Sequence, residues 1–193
     1  MKKAIPFLNK TFLLCLLSGS LLVACNNSTT TEKKEEAAED KIHAAEAEIT
    51  GTKSDTTVNG TASFTREAEG KVKLDLQLTV PLLANKSVAV HLHEHGECGN
   101  SGNDSHGHWN PTHKQHGKWG TGEFHSGDIG NISLDSAGKG TFSVTTDLWS
   151  LGGDSTTNIL DRAVIVHSGV DDYTSQPAGN AGSRIGCGVI KKK

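Results

Sequence analysis

Residues 71–80 read KVKLDLQLTV, and this stretch decides the fold class. Apolar side chains stand at every second position, which is the period of a β-strand with one buried face and not that of a helix. The residues between them are Lys, Asp, Gln and Thr, which suit the solvent side of a sheet. The apolar set comprises Val72, Leu74, Leu76, Leu78 and Val80. The stretch therefore predicts a strand that covers one side of a core.

Further strand patterns follow along the chain. Residues 88–92 resume the alternation after a turn at 84–86, and the segment 135–140 separates two apolar alternations as a hairpin turn does. Residues 163–166 form a continuous apolar run, which is typical of a strand covered on both faces. Because the sequence shows no sustained helical period, we expect an all-β fold, an antiparallel sandwich or barrel.

Two long segments, 96–130 and 168–186, lack a strand pattern. Loops of this length inside a compact domain usually carry function. The whole chain has 193 residues and a net charge of only −3, and the folded part holds no basic block. The length therefore fits one domain with a leader, and the charge pattern excludes nucleic acid as a partner.

The first 24 residues have the pattern of an export signal. Lys2, Lys3 and Lys10 give a positive start, and residues 11–23 are mostly apolar. This stretch is shorter than the about 20 apolar residues that span a bilayer. It ends in LVAC, residues 22–25, which resembles the lipobox of bacterial lipoproteins and implies cleavage before an acylated Cys25. An ordinary secretory signal that happens to end beside a cysteine is the alternative.

Residues 26–44 hold many charges and almost no large apolar side chains, so they cannot build a core. We therefore divide the chain into a signal peptide at 1–24, a lipidated cysteine with a flexible tether at 25–44, and a folded domain at 45–193. Without the leader the chain has 16 Lys and Arg against 22 Asp and Glu, a net charge of −6. The expected location is outside the cytoplasm, lipid-anchored to a bacterial membrane on its periplasmic or cell-surface side.

Two cysteines remain in the expected folded domain, Cys98 and Cys187. Export would place them in an oxidising compartment, where disulfides persist. A bridge between them would close a loop of about 90 residues and contribute roughly 4–5 kcal/mol on the chain-entropy model. Two free buried thiols are the alternative.

Eight of the ten histidines fall within residues 91–125. His91 and His93 share one strand face, about 6.6 Å apart along the strand, and His167 ends another strand. A long loop adds three imidazoles and a carboxylate, the donors of a closed zinc site, whereas an all-imidazole set with an open position suits copper. The loop residues are His108, His116, His125 and Asp128. Any one histidine taken alone could be a surface residue or a satisfied core residue.

The motifs carrying these residues resemble those of bacterial copper–zinc superoxide dismutases of the exported, lipoprotein type. They are HLHEHGEC at 91–98, GHWNPTHKQHG at 107–117, EFHSGDIGNI at 123–132 and VIVHSGVDDYTSQPAGNAGSRIGCGVI at 164–190. The resemblance spans roughly residues 46–193. It implies a Greek-key barrel with a zinc loop and an electrostatic loop. It also implies a redox-cycling copper and a structural zinc, and dismutation of superoxide to oxygen and hydrogen peroxide as antioxidant defence.

The resemblance also implies a role for each site residue. The copper ligands would be His91, His93, His108 and His167, and the zinc ligands would be His108, His116, His125 and Asp128. His108 would bridge the two metals and act as a nearby acid, and Arg184 would guide the anion to copper. Asp171 would link His91 to His116, and Cys98 would pair with Cys187.

Three histidines, His95, His106 and His113, have no place in this two-metal set. We interpret them as solvated loop residues, with weak capture of metal as a secondary hypothesis. A lipoprotein that only stores or hands over metal, and an adhesion module on the same fold, are the competing functions. A storage protein needs neither an open copper position nor a guiding cation, so the full ligand set and Arg184 favour the enzyme. The resemblance leaves both a monomer and a homodimer open.

Overall fold

A computed structural model describes residues 42–193. The predicted signal peptide, the lipidation site Cys25 and the tether up to residue 41 lie outside the described residues. The strands are β1 (Ala44–Gly51), β2 (Asn59–Arg66), β3 (Val72–Thr79), β4 (Ser87–His93), β5 (Gly130–Ser133), β6 (Lys139–Thr146), β7 (Ala163–His167), β8 (Arg184–Val189) and β9 (Lys191–Lys192). Within residues 42–193, no helix has the length and apolar character to cross a membrane.

The strands form one antiparallel sheet in the order β5-β4-β7-β8-β1-β2-β3-β6, and β9 pairs with β1. The two strands at the ends of this order, β5 and β6, are consecutive in the chain, so the sheet curls until its ends meet. The result is a nearly closed barrel of eight strands with Greek-key connections. The expected all-β, antiparallel fold is confirmed.

The strand predicted from KVKLDLQLTV is β3, and its apolar side chains are at most 2% exposed. The continuous apolar run is β7, which is buried along its whole length. Val164 and Val166 face the main core, while Ile165 packs with Cys187 on the outer face of the barrel. Both strand interpretations are confirmed.

The predicted hairpin at 132–144 differs from what the structure shows. The turn forms, with Gly138 N–H donating to the carbonyl of Asp135 at 2.9 Å. Among the described strands, however, β5 pairs with β4 and β6 pairs with β3, and no ladder joins β5 to β6. Ile132 and Leu134 are buried in the core at this point, which makes the turn a corner of the barrel. The local pattern predicted the turn correctly, whereas strand pairing is set by closure of the barrel.

The two segments without strand pattern are long loops on the outer face of the barrel, except that Gly130 begins β5 and residues 184–186 begin β8. One joins β4 to β5 and holds a short 3-10 helix at Asn100–Ser105, and the other joins β7 to β8. The indole N–H of the buried Trp149 donates to the carbonyl of Ser126 at 2.8 Å and so fastens the first loop. Trp119 of that loop stacks edge-on against Trp149, with 5.2 Å between ring centroids.

The disulfide between Cys98 and Cys187 is present, which confirms that prediction. Cys98 lies near the start of the first long loop, and Cys187 lies in β8, three residues beyond Arg184. The bridge therefore fixes the loop to the strand that begins at Arg184.

Replacing both cysteines should lower the free energy of unfolding by about 2–5 kcal/mol, because the bridge closes a long loop. Guanidinium unfolding of metal-free Cys98→Ala/Cys187→Ala protein measures this loss. A reductant should destabilise the wild-type protein equally and leave the double variant unchanged. Equal stability of wild type and variant under oxidising conditions would contradict the prediction.

Candidate metal centre

The first histidine cluster is built on the outer face of two neighbouring strands. His91 and His93 alternate on β4 with Val90 and Leu92, whose side chains enter the core. His167 ends β7, and its ring centroid lies 4.9 Å from that of His91 and 5.6 Å from that of His93. His108 of the first long loop completes the cluster, 3.9 Å from His91 between centroids. One donor atom from each of the four lies within 4.8 Å of the others, and all four residues are buried.

The second cluster shares His108 with the first. It contains His108, His116, His125 and Asp128, again with donor atoms within 4.8 Å of one another. The Asp128 carboxylate lies 2.9 Å from Nδ1 of His108, 2.9 Å from Nδ1 of His116 and 3.2 Å from Nδ1 of His125. Asp128 is fully buried, and the backbone N–H of His125 donates to it at 2.8 Å.

In each cluster histidine, one ring nitrogen is hydrogen-bonded to a protein oxygen atom. For His108 this oxygen belongs to Asp128, and for the other histidines it belongs to a residue outside both clusters. His93 Nδ1 donates to the carbonyl of His106 at 2.8 Å, His125 Nε2 to that of Lys114 at 3.1 Å, and His167 Nδ1 to that of Gly182 at 3.4 Å. These bonds fix the tautomer and the direction of the other nitrogen, as outer partners do at metal sites.

The other ring nitrogen of each histidine is buried and makes no hydrogen bond of good geometry among the described residues, although Nδ1 of His116 and of His125 lies close to the Asp128 carboxylate. These atoms are Nδ1 of His91, His116 and His125, and Nε2 of His93, His108 and His167. A buried polar atom left without a partner costs about 1–3 kcal/mol, so the four in the first cluster, which have no contact with a carboxylate either, require an explanation. Imidazole nitrogens that converge in this way fit a divalent transition metal ion in each cluster, which would displace any proton they carry.

Asp171 links the two clusters through the ring nitrogens of His91 and His116 that do not face a cluster. Its Oδ2 lies 2.9 Å from Nε2 of His91, and its Oδ1 lies 2.9 Å from Nε2 of His116. The resemblance implied this placement. Two residues that sequence reasoning missed hold the arrangement: the side-chain amide of Asn131 bonds the backbone of Asp171 at both ends, and that of Gln176 does so with His116. Nothing in the sequence pattern distinguishes these two amides from ordinary loop residues.

The two clusters differ in charge. Burial lowers the pKa of His93 and His167 far below the ordinary value, and burial lowers that of His108 to about 4 despite the hydrogen bond to Asp128. These rings are therefore neutral and keep a free lone pair. Burial also opposes the charged form of His116, but the adjacent carboxylates of Asp128 and Asp171 raise its pKa to about 9. In the metal-free protein the charged groups, Asp128 and His116, therefore lie in the second cluster, and His93, His108 and His167 of the first cluster are neutral.

Arg184 lies at the start of β8 and is held by neutral oxygen atoms. Nη1 donates to the carbonyl of Gly102 at 2.7 Å and to the hydroxyl of Ser105 at 3.0 Å, and Nη2 donates to the carbonyl of His106 at 2.6 Å. No ion pair joins it to a carboxylate within the described part of the chain, so its charge is not neutralised. Arg184 and three of the four first-cluster histidines (His93, His108 and His167) line one cavity of about 370 Å³.

The histidines left over from the two clusters separate in space. His95 and His106 lie together with Glu94, and one donor atom from each lies within 4.8 Å of the others. His113 is exposed and belongs to none of the three groups found among residues 42–193. The sequence grouped these three histidines by proximity in the chain, and Glu94 was not among its candidates.

An eight-stranded antiparallel barrel with two histidine clusters that share one imidazole defines a two-metal β-barrel protein. Residues 58–190 match the family model described as copper/zinc superoxide dismutase. The chain belongs to this family, and it is an oxidoreductase that dismutates superoxide with copper and zinc.

Individual relatives agree with the family match. The chain is 36% identical over 152 residues to "Superoxide dismutase [Cu-Zn] 2" of Aquifex aeolicus, covering 76% of this chain and 86% of the relative. It is 33% identical over 144 residues to "Superoxide dismutase [Cu-Zn]" of Cryptococcus neoformans, covering 72% and 92%. Among solved structures, that of the clock protein EA4 superposes with a TM-score of 0.68 at 32% identity, covering 79% and 96%.

Gly179 lies beside the Asp171 carboxylate, which links His91 to His116, so a substitution at Gly179 tests the importance of this link. A Cβ at Gly179 would lie 1.9 Å from Oδ1 of Asp171 and 2.6 Å from Nε2 of His116. Gly179→Ala should therefore displace the carboxylate and weaken metal retention, measured by metal release to a chelator.

Gly120→Ala is the matched control. Gly120 has a similar positive φ, +72° against +64°, but nothing lies within 4 Å of its added Cβ. Both variants carry the same backbone strain of about 1–2 kcal/mol, and only one meets the site. Equal metal retention by the two variants would show that the bridge does not hold the clusters.

Proposed function

We propose that the four-histidine cluster holds copper and that the cluster with Asp128 holds zinc. The observation that carries this assignment is His108, whose Nδ1 faces Asp128 while its unpartnered Nε2 faces His91, His93 and His167. An all-imidazole set suits copper, and three imidazoles with a carboxylate form a closed tetrahedral set that suits zinc. The proposed ligands are those that the sequence resemblance implied.

Access to the two clusters supports the same division. His93, His108 and His167 line the 370 Å³ cavity, whose other walls come from residues 176–184. His116, His125 and Asp128 do not line it. A small anion can therefore approach the proposed copper site, whereas the proposed zinc site is closed, as a structural site should be.

When bound, copper supplies the electron exchange by which one superoxide is oxidised to oxygen and a second, with two protons, is reduced to hydrogen peroxide. His108 is one of the residues that line the cavity, and its Nε2 could hold a proton there. Asp171 fixes the orientation of His91 and His116 through their outer nitrogens. Arg184 places a fixed positive charge on the wall of the same cavity.

Removing the shared imidazole tests the assignment. His108→Ala takes one donor from each cluster, so it should reduce bound copper and zinc and lower superoxide consumption by at least about hundredfold, the lower range for loss of a positioned catalytic group. Elemental analysis and a dismutase assay give the two readouts.

His113→Ala is the control, because His113 is an exposed histidine of the same loop outside both clusters. It should retain one copper, one zinc and full activity. If the His108 variant keeps both metals and the wild-type rate, the shared ligand is assigned wrongly.

Guidance of the anion must be local if the mature chain carries a net charge of −6, because the overall charge repels superoxide. Between His167 and Arg184 the loop has no other Lys or Arg, so Arg184 should carry most of the guidance. Arg184→Ala should lower the bimolecular rate and flatten its decline with salt, since screening acts over about 10 Å at 0.1 M. Arg184→Glu should be slower still.

Lys86→Ala removes the same charge far from the site. Lys86 immediately precedes β4, at the opposite end of the strand from His93, which is about 23 Å away for seven extended residues. Its rate and salt dependence should match the wild type. If Arg184→Ala also matches, this arginine does not steer superoxide and serves the loop alone.

We further propose that the protein is exported and lipid-anchored through Cys25, facing the periplasm or the cell surface. The positively charged start, the apolar stretch and LVAC at 22–25 support this proposal, and the charged segment that follows suits a tether. A disulfide in the folded domain also fits an oxidising compartment.

Cys25→Ser should abolish acylation and release an active, soluble enzyme, because the charged tether after it holds almost no large apolar side chains and cannot build a core. Membrane fractionation and mass spectrometry of the amino terminus measure this. Wild-type protein recovered without a lipid on Cys25, or a membrane-bound Cys25→Ser variant, would contradict the anchor.

A homodimer stays a prediction. Among residues 42–193 the exposed large hydrophobic side chains are Leu82 and Val170, at 67% and 53% exposure. A self-association surface would therefore have to include many polar side chains. Sedimentation velocity over a range of concentrations would detect or exclude it.

A further inference from the structure

A third group of metal-binding side chains lies outside the two clusters. Glu94, His95 and His106 each place one donor atom within 4.8 Å of the others. The two imidazole centroids are 4.4 Å apart, and both histidines are exposed. None of the three is a proposed ligand of copper or zinc.

The backbone holds this group together. The chain leaving β4 runs antiparallel to residues 105–107: Glu94 N–H donates to the carbonyl of Gly107 at 3.0 Å, and His95 N–H donates to that of Ser105 at 3.1 Å. Residues 94–95 and His106 are therefore neighbours across a short pairing that continues the His93–His108 bridge. Glu94 and His95 therefore cannot separate from His106 without breaking these hydrogen bonds.

His106 has an unusual backbone for a residue with a side chain, with φ of 60° and ψ of −143°. Its carbonyl accepts from His93 Nδ1 at 2.8 Å and from Arg184 Nη2 at 2.6 Å. These two bonds hold the carbonyl towards the first cluster while the ring of His106 lies outside beside His95. The first cluster and the third group are thus joined through a single peptide unit.

We propose that Glu94, His95 and His106 form a surface site that captures a divalent transition metal ion, Cu²⁺ most tightly, and supplies copper to the first cluster. Two imidazoles and a carboxylate suit Zn²⁺ and Cu²⁺, and of these ions Cu²⁺ binds such donors more strongly. Ligands bonded at about 2.0–2.1 Å lie about 3–3.5 Å apart, so the exposed side chains need only small rotations to close on an ion. Water completes the coordination, which keeps the ion exchangeable.

The proposed supply of copper to the first cluster is based on the position of the third group. His93, a proposed copper ligand, is adjacent in the chain to Glu94 and bonded to the carbonyl of His106. An ion held by the third group therefore lies beside the strand that carries the first cluster. This role rests on the proposed copper ligands, whereas binding at the third group does not.

Titration of the purified protein tests the site without reference to activity. After elemental analysis shows one copper and one zinc, added Cu²⁺ should bind as one further equivalent, detected by calorimetry and by a separate Cu²⁺ resonance. His95→Asn should weaken this equivalent at least about tenfold, or 1.4 kcal/mol, without altering the backbone of His106. Glu94→Gln/His95→Asn should abolish it, and His113→Asn, the control, should keep it.

Copper loading tests the supply. Zinc-loaded, copper-free protein mixed with less than one equivalent of Cu²⁺ should fill the first cluster several-fold more slowly in Glu94→Gln/His95→Asn than in the wild type or His113→Asn. No further equivalent in the wild type, or one that persists in the double variant, overturns the site. A site that binds while loading rates stay equal overturns its supply role. A baseline other than one copper and one zinc counts against the two-metal assignment instead.

Discussion

Six buried imidazole rings each direct one nitrogen into a cluster, and the four of the first cluster have no protein hydrogen bond or carboxylate contact there. Each unpartnered nitrogen costs about 1–3 kcal/mol in the metal-free protein, so folding alone does not favour the site. In each ring, one nitrogen is hydrogen-bonded to a carbonyl oxygen or to the carboxylate of Asp128 or Asp171. This bond determines which nitrogen of the ring is available to a metal ion. Metal ions would remove the cost and fasten the first long loop to β4 and β7, because the ligands come from these two strands and that loop.

The barrel strands form a rigid base for the site, the two long loops cover it, and the first of these loops completes the clusters. Val90 and Leu92 anchor β4 in the core, so His91 and His93 can only face outward beneath the loops. Asp171 then connects β4 to the first long loop from its place in the second. The disulfide and the bonds of Arg184 fix the start of the first loop to β8. Substrate access and metal retention are therefore set by the same few loop contacts.

Much of this was predictable from local pattern, and some was not. The period-2 alternation of β3 and the HLH sequence of β4 are local signals, and the structure has both. The sharing of His108 depends on a loop's path, so only the resemblance could suggest it. The turn at 135–140 was predictable, but its strands pair elsewhere because barrel closure is a long-range constraint. Asn131, Gln176 and Glu94 were missed because their roles arise from contacts between distant segments or from a strained backbone at His106.

The central proposal is that His108 would serve as a ligand to both metal ions, one at each ring nitrogen. Electron paramagnetic resonance of protein with Cu²⁺ in both proposed sites tests it most directly, since an imidazolate between two Cu²⁺ ions couples their unpaired electrons. The account predicts a coupled pair with loss of the isolated Cu²⁺ signal at low temperature. Two independent Cu²⁺ signals at full intensity would contradict it.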